Sequence, residues 1–192
     1  MMRGLCLLSA VAVAGALFAA EKPYTCSLKV ENPKTVSKTD SDKGGNNNGG
    51  GFGMTRTKTT RRTMTWATRV SFRGKEFPSD VKLCFFCFGD EDGTAKVLAQ
   101  ETQEVVLDAK GDFKVDLVSP EAVLTKTKSS GNRGNNNGNG SSGSTTKGTR
   151  ISGCVVQLMV GNEVVRSYAS KPTWAKLARK TPLPEAEILG FR

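Results

Sequence analysis

Histidine is absent from this chain. That absence removes Ser-His-Asp and Cys-His nucleophilic catalysis, His-ligated zinc hydrolysis and histidine-based pH switching, because each needs an imidazole as base, ligand or titrating group. Aromatic residues make up only 7% of the sequence, and nearly all fall on the predicted core faces described below. A glycosidase needs two facing carboxylates in a cleft lined by aromatics, and the supply for such a lining is short. The glycine runs lack the Lys-Ser/Thr ending of a phosphate loop. Beyond the amino terminus no stretch is long and apolar enough to cross a bilayer.

What the chain does have begins with an export signal. Arg3 gives a positive start, Gly4 to Ala20 form an apolar and small-residue run of 17, and Glu21, Lys22 and Pro23 end it. Residues 1–20 read as a signal peptide, with Ala14, Ala16, Ala19 and Ala20 offering cleavage points between Ala16 and Glu21. An uncleaved anchor is the rival, since 17 residues is the lower limit for spanning a bilayer. Cys6 leaves with the peptide and lies too early to be a lipid attachment site. The expected product is a soluble single domain over residues 21–192, periplasmic or secreted.

Without Arg3 there remain 27 Lys and Arg against 18 Asp and Glu. The excess is concentrated: Arg56, Lys58, Arg61, Arg62, Arg69, Arg73 and Lys75 occur between Met54 and Lys75 with no acidic residue among them. Such a stretch draws polyanions, whether nucleic acid, anionic glycan or a membrane surface, by counterion release. The alternative is a solvated strand face that keeps the protein soluble. The candidate anion-binding residues are therefore Arg56, Lys58, Arg61, Arg62, Arg69 and Arg73.

Two Gly/Asn-rich tracts, residues 37–53 and 129–148, have too little apolar surface to offset ordering entropy, so the sequence predicts disordered loops there. Asn139-Gly140-Ser141 fits an N-glycosylation acceptor. The rest alternates with period two, the pattern of strands with one buried face. Strands are expected at Tyr24–Val30, Arg62–Phe72, Asp80–Phe88, Lys96–Leu107, Asp112–Val118, Arg150–Val160 and Glu163–Ala169, with a short edge strand at Ala122–Lys128. Asp80–Phe88 is apolar on both faces, marking the most buried strand, and Gly161-Asn162 has the chemistry of a tight hairpin turn. Thr173 is placed to cap a short helix carrying Trp174, Leu177 and Ala178. Trp66 reads as core, and Trp174 as a lid on one open end.

Seven or eight short strands without alternating long helices predict an all-β fold, an antiparallel β-sandwich, with a closed barrel as the main competitor. In strand rhythm, and in Arg150-Ile151-Ser152-Gly153-Cys154-Val155-Val156-Gln157-Leu158 running into Gly161-Asn162, the stretch from Tyr24 to Ser170 resembles exported bacterial immunoglobulin-like or fibronectin-type-III-like domains. That resemblance implies a binding or structural role and no particular activity.

Four cysteines follow the signal: Cys26, Cys84, Cys87 and Cys154. Cys84 and Cys87 have the spacing of a redox or zinc pair, but in an extended strand they lie about 10 Å apart on opposite faces and cannot bond each other. A bridge between distant strands is expected instead, Cys26 with Cys154 or Cys87, all on predicted buried faces. No metal site, catalytic group or cofactor is assigned. Asp90-Glu91-Asp92-Gly93 begins like a calcium loop, yet the later ligand positions are unfilled and a polar hairpin turn explains it. The sequence thus reads as a non-enzymatic envelope module touching an envelope protein or an anionic polymer, with a carboxylate hydrolase or a Cys84/Cys87 thiol-disulfide protein as the alternatives.

Overall fold

The computed structural model describes residues 23–46, 53–131 and 142–190. The export segment at 1–20 and the acceptor at Asn139 lie outside them. The described residues form nine antiparallel strands: β1 (Tyr24–Val30), β2 (Lys34–Asn46), β3 (Gly53–Gly74), β4 (Val81–Glu91), β5 (Thr94–Glu104), β6 (Asp112–Val118), β7 (Ala122–Gly131), β8 (Ser142–Val160) and β9 (Glu163–Ala169). Two 3-10 turns, Pro172–Trp174 and Leu177–Arg179, and a short helix α1 (Glu185–Gly190) follow. The all-β class and the short carboxy-terminal helix are as the sequence predicts.

Two long strands organise the molecule by changing partners along their length. The second half of β3 lies between β1 and β6, and β8 beyond Gly148 runs beside β4, which carries β5 on its other side. The alternation of β3 turns Trp66, Val70 and Phe72 inward, and β4 and β8 answer with Leu83, Phe85, Cys87, Cys154, Val156 and Leu158. Trp66 meets Phe85 at a centroid distance of 5.7 Å. Close packing of these two layers is the main stabilising term, at about 1.5–3 kcal/mol for each large apolar side chain buried.

The double apolar pattern of β4 has its own explanation. Its second face, Cys84, Phe86 and Phe88, is covered by the carboxy-terminal segment through Trp174, Leu177, Ala178, Leu183 and Ile188. Phe88 and Trp174 pack edge to face at 5.3 Å, and Gln157 Nε2 donates to the carbonyls of Ala178 and Lys180 at 2.9 and 2.8 Å, tying the segment down. Trp174 is thus a cover for the outer face of the β4–β8 sheet and not for an open end of the sandwich. Thr173 caps no helix; Lys171 precedes a 3-10 turn with no side-chain cap, and the α-helix begins only after Pro184.

The other halves of β3 and β8 leave the sandwich together. β2, β3, β7 and β8 pair in that order over Lys34–Asn46, Gly53–Thr65, Ala122–Gly131 and Ser142–Gly148 to make a four-stranded blade. Much of the two tracts expected as disordered loops is therefore strand: 37–46 and 53 in the first, 129–131 and 142–148 in the second. Burial is not what orders them, since β2 is exposed along nearly its whole described length. The ladder to β3 orders them, helped by β-branched threonines that suit a pleated surface. Likewise Ala122–Gly131 is an interior strand of the blade, paired on both sides, and not an edge.

Gly148 marks the hinge between blade and sandwich. Its φ of 116° is open to glycine, and a Cβ there would meet the Val123 carbonyl oxygen at 2.0 Å. Its N–H donates to Asp92 Oδ1 at 2.6 Å, and the Asp92 N–H donates back to its carbonyl at 3.0 Å. The turn after Glu91, with Asp92 and Gly93 both at positive φ, therefore acts as a bracket for the blade.

Candidate functional site

Side chains of a strand alternate between faces, so the register of the blade sorts its charges. On one face the cross-strand rows are Lys43, Arg56, Lys128 and Ser144, then Ser41, Lys58, Lys126 and Thr146, then Thr39, Thr60, Leu124 and Gly148. Arg62 continues this face toward the sandwich beside Ser37 and Ala122. Asp40 and Asp42 alternate with the residues named from β2 and so stand on the opposite face, level with Thr59 and Thr57. The basic face thus gathers Lys43, Arg56, Lys58, Arg62, Lys126 and Lys128, all exposed. None of the six has an ion-pair partner among the described residues.

Directly opposed like charges destabilise a ladder, by up to about 1 kcal/mol per pair. Lys43 faces Arg56, Arg56 faces Lys128 and Lys58 faces Lys126, so this cost recurs three times within two rows. Neighbouring strands lie about 4.8 Å apart and same-face residues along a strand about 6.8 Å, which fixes the positive charges on a narrow lattice. The hydrogen bonds that steady this face are between neutral or outer groups: Thr39 and Thr60 share a hydroxyl bond at 3.3 Å, and Arg62 Nε donates to Ser37 Oγ at 3.4 Å.

The six arginines and lysines singled out in the sequence divide accordingly. Arg56, Lys58 and Arg62 lie on the basic face, all within the continuous strand β3. Arg61 projects from the other face and pairs with Glu121 at 3.0 Å. Arg69 and Arg73 both engage Asp112 at 2.9 Å on the outside of the sandwich. A hydrogen bond from Ser71, followed by those from Arg69 and Arg73, holds the Asp112 carboxyl far below the usual carboxylate range. Lys43, Lys126 and Lys128 were missed, although the spacing Leu124, Lys126, Lys128 is the period-two signal of a shared face.

The cysteines lie away from this surface. Cys84 and Cys87 occupy β4 on opposite faces, Cys84 under the carboxy-terminal segment and Cys87 in the main core. Cys87 and Cys154 are direct register partners with no exposed surface. Burial pushes the Cys87 thiol up to about 12, and Cys154 is raised by burial and by Cys87 itself. Cys26 stands across from Phe72 in the other layer, and no disulfide joins any two of the four cysteines in this structure, the bridge expected from Cys26 to Cys154 or Cys87 included.

No group of three or more metal-ligating side chains occurs among the described residues, and no helix among them is long and apolar enough to cross a membrane. Two carboxylates share one depression, Glu31 and Asp116, on either side of Ala67. Two strand spacings place them roughly 10 Å apart. The depression is bordered by Lys29, Arg69 and Lys114, has no aromatic wall, and leaves both carboxylates exposed. Another depression of about 280 Å³, between the β4–β5 turn and the carboxy-terminal segment, is lined by Phe88, Trp174 and Ile188 with Asp90 as its one carboxylate.

No known protein family, curated protein or solved structure matches this chain.

Proposed function

We propose that the chain is an exported, non-enzymatic envelope module that binds a linear acidic polysaccharide on the basic face of its blade. The observation that carries this reading is the stacking of like charges: three opposed basic pairs with no carboxylate on their face. A fold accepts that cost without compensation where a ligand supplies the negative charge. Supporting it, Ser41, Ser144 and Thr146 stand in the same rows as the basic residues, so carboxylate or sulfate groups and sugar hydroxyls each find partners.

Among its described residues the face carries no aromatic side chain of the kind on which single-stranded nucleic acid stacks. Among the side chains whose burial is described, it also exposes no large apolar group to enter a lipid surface, since Met64 and Leu124 are half-buried and the exposed Val36 lies on the opposite face. The export signal expected at residues 1–20 adds to this choice by placing the chain among envelope glycans.

Binding of a linear uronate polymer, single-stranded DNA and vesicles containing anionic lipid, measured side by side at equal ionic strength, tests the choice. The polymer is expected to bind most tightly. Preference for DNA or for vesicles contradicts the ligand class, and failure to bind any of the three contradicts the site.

A further inference from the structure

The core carries an inference independent of the blade. Cys87 in β4 and Cys154 in β8 are opposite each other in an antiparallel ladder, both fully enclosed and both in the same hydrophobic cluster. Opposed residues in such a ladder have Cα atoms about 4.5 or 5.5 Å apart, depending on the pair type. Both separations fall in the range of about 4.4–6.8 Å that a disulfide spans. Side chains on one face in one register therefore reach each other by rotation about χ1, with the backbone in place.

The remaining cysteines face other residue types in register. Cys84 is level with Thr102 and Gln157, and its sulfur contacts Met159 Sδ and Thr102 Oγ1 at 3.5 Å. Cys26 is level with Phe72, in the layer across the core.

We propose that Cys87 and Cys154 are joined as a cross-strand disulfide when the chain folds in the presence of a small disulfide oxidant such as oxidised glutathione. The two thiols give up two protons and two electrons and form one S–S bond. The oxidant's S–S bond breaks and takes up both electrons and both protons as two glutathione thiols. Exchange requires a thiolate, and burial holds both sulfurs protonated and out of reach, so closure precedes completion of the core. Once formed, the bond is sealed by the same packing. It clamps the two central strands of one layer and closes a loop that holds β5, β6 and β7.

The test is refolding of the full chain from denaturant with mixed oxidised and reduced glutathione, and in parallel with reductant alone. Intact mass and peptide mapping after alkylation then read the thiols. The oxidised sample is expected to yield a fragment joining Cys87 to Cys154 and to be lighter by two hydrogens for that bridge. Cys84→Ser is expected to keep the fragment. The bridged chain should melt about 10 °C higher, from the closure of a long loop, and should resist reductant until it is unfolded. Alkylated Cys87 and Cys154 in the oxidised folded sample, or a bridge from either of them to Cys26 or Cys84, overturns the proposal. Mapping the native sequence keeps the test decisive even where a Cys87→Ser chain fails to fold.

Discussion

Lys58 of β3 and Lys126 of β7 stand directly opposite each other on the blade, both exposed and with Ser41 and Thr146 completing their row. The pair costs stability in the free protein and holds charge for a ligand. Replacing Lys126 with Glu is expected to stabilise the free chain by about 0.2–1 kcal/mol, through an opposite-charge pair with Lys58, while weakening polyanion binding. Thermal melts and binding isotherms of the same variant should therefore move in opposite directions. A variant that is destabilised, or that binds as tightly as before, counts against the face as a site.

Gly148 is expected to be intolerant of any side chain. Gly148→Ala forces a Cβ into contact with the Val123 carbonyl oxygen and strains a positive φ, for an expected loss of about 1–3 kcal/mol. Gly93 also has a positive φ but no atom within 4 Å of its added Cβ, so Gly93→Ala should cost less. Denaturant midpoints of the two variants compare them, and equal losses would remove Gly148 as the hinge.

Acid should act on the β3–β6 pairing through Asp112. Its carboxyl is held below the value of an unfolded chain by bonds from Ser71, Arg69 and Arg73, so it stabilises the fold above the ordinary carboxylate value and that contribution is lost as pH falls through its own lower value. Asp112→Asn should therefore melt below the wild type at pH 7, with the gap closing as the pH drops below the usual 3.8. Melting curves across that range report it. A gap that is independent of pH contradicts the assignment.

Trp174 is the largest side chain of the carboxy-terminal cover and is 2% exposed. Trp174→Ala should cost about 3–5 kcal/mol and uncover Phe86 and Phe88, which an apolar fluorescent dye would detect. A mild loss without dye binding would mean that the segment packs independently of Trp174.

The sandwich was legible from the sequence because its strands advertise burial. Tyr24–Val30 and Asp112–Val118 have the very bounds that their alternating apolar residues predict. The hairpin at Gly161 was legible from turn chemistry, with φ of 59° at that glycine. The blade was not, because a sheet exposed on both faces has no apolar period to read. Its strands run through Ser, Thr, Lys and Gly, the composition of a loop, and only the mirrored Thr55, Thr57, Thr59 and Thr125, Thr127 hint at pleating. Half of the basic face was legible in consequence: Arg56, Lys58 and Arg62 come from β3 itself, while Lys43, Lys126 and Lys128 arrive by pairing across the chain. Arg69 and Arg73 drop out because both are engaged by Asp112, some forty residues away in sequence, on the outside of the sandwich and off the blade.

The most direct measurement is the salt dependence of binding to a linear acidic polysaccharide for three chains: the wild type, Lys126→Ser with Lys128→Ser, and Lys110→Ser with Lys176→Ser. Both double variants lose the same net charge, but only the first pair lies on the blade. The account predicts that the blade variant lowers the slope of log affinity against log salt by roughly one for each contact removed, while the second variant keeps the wild-type slope. Equal slopes in all three chains would contradict it.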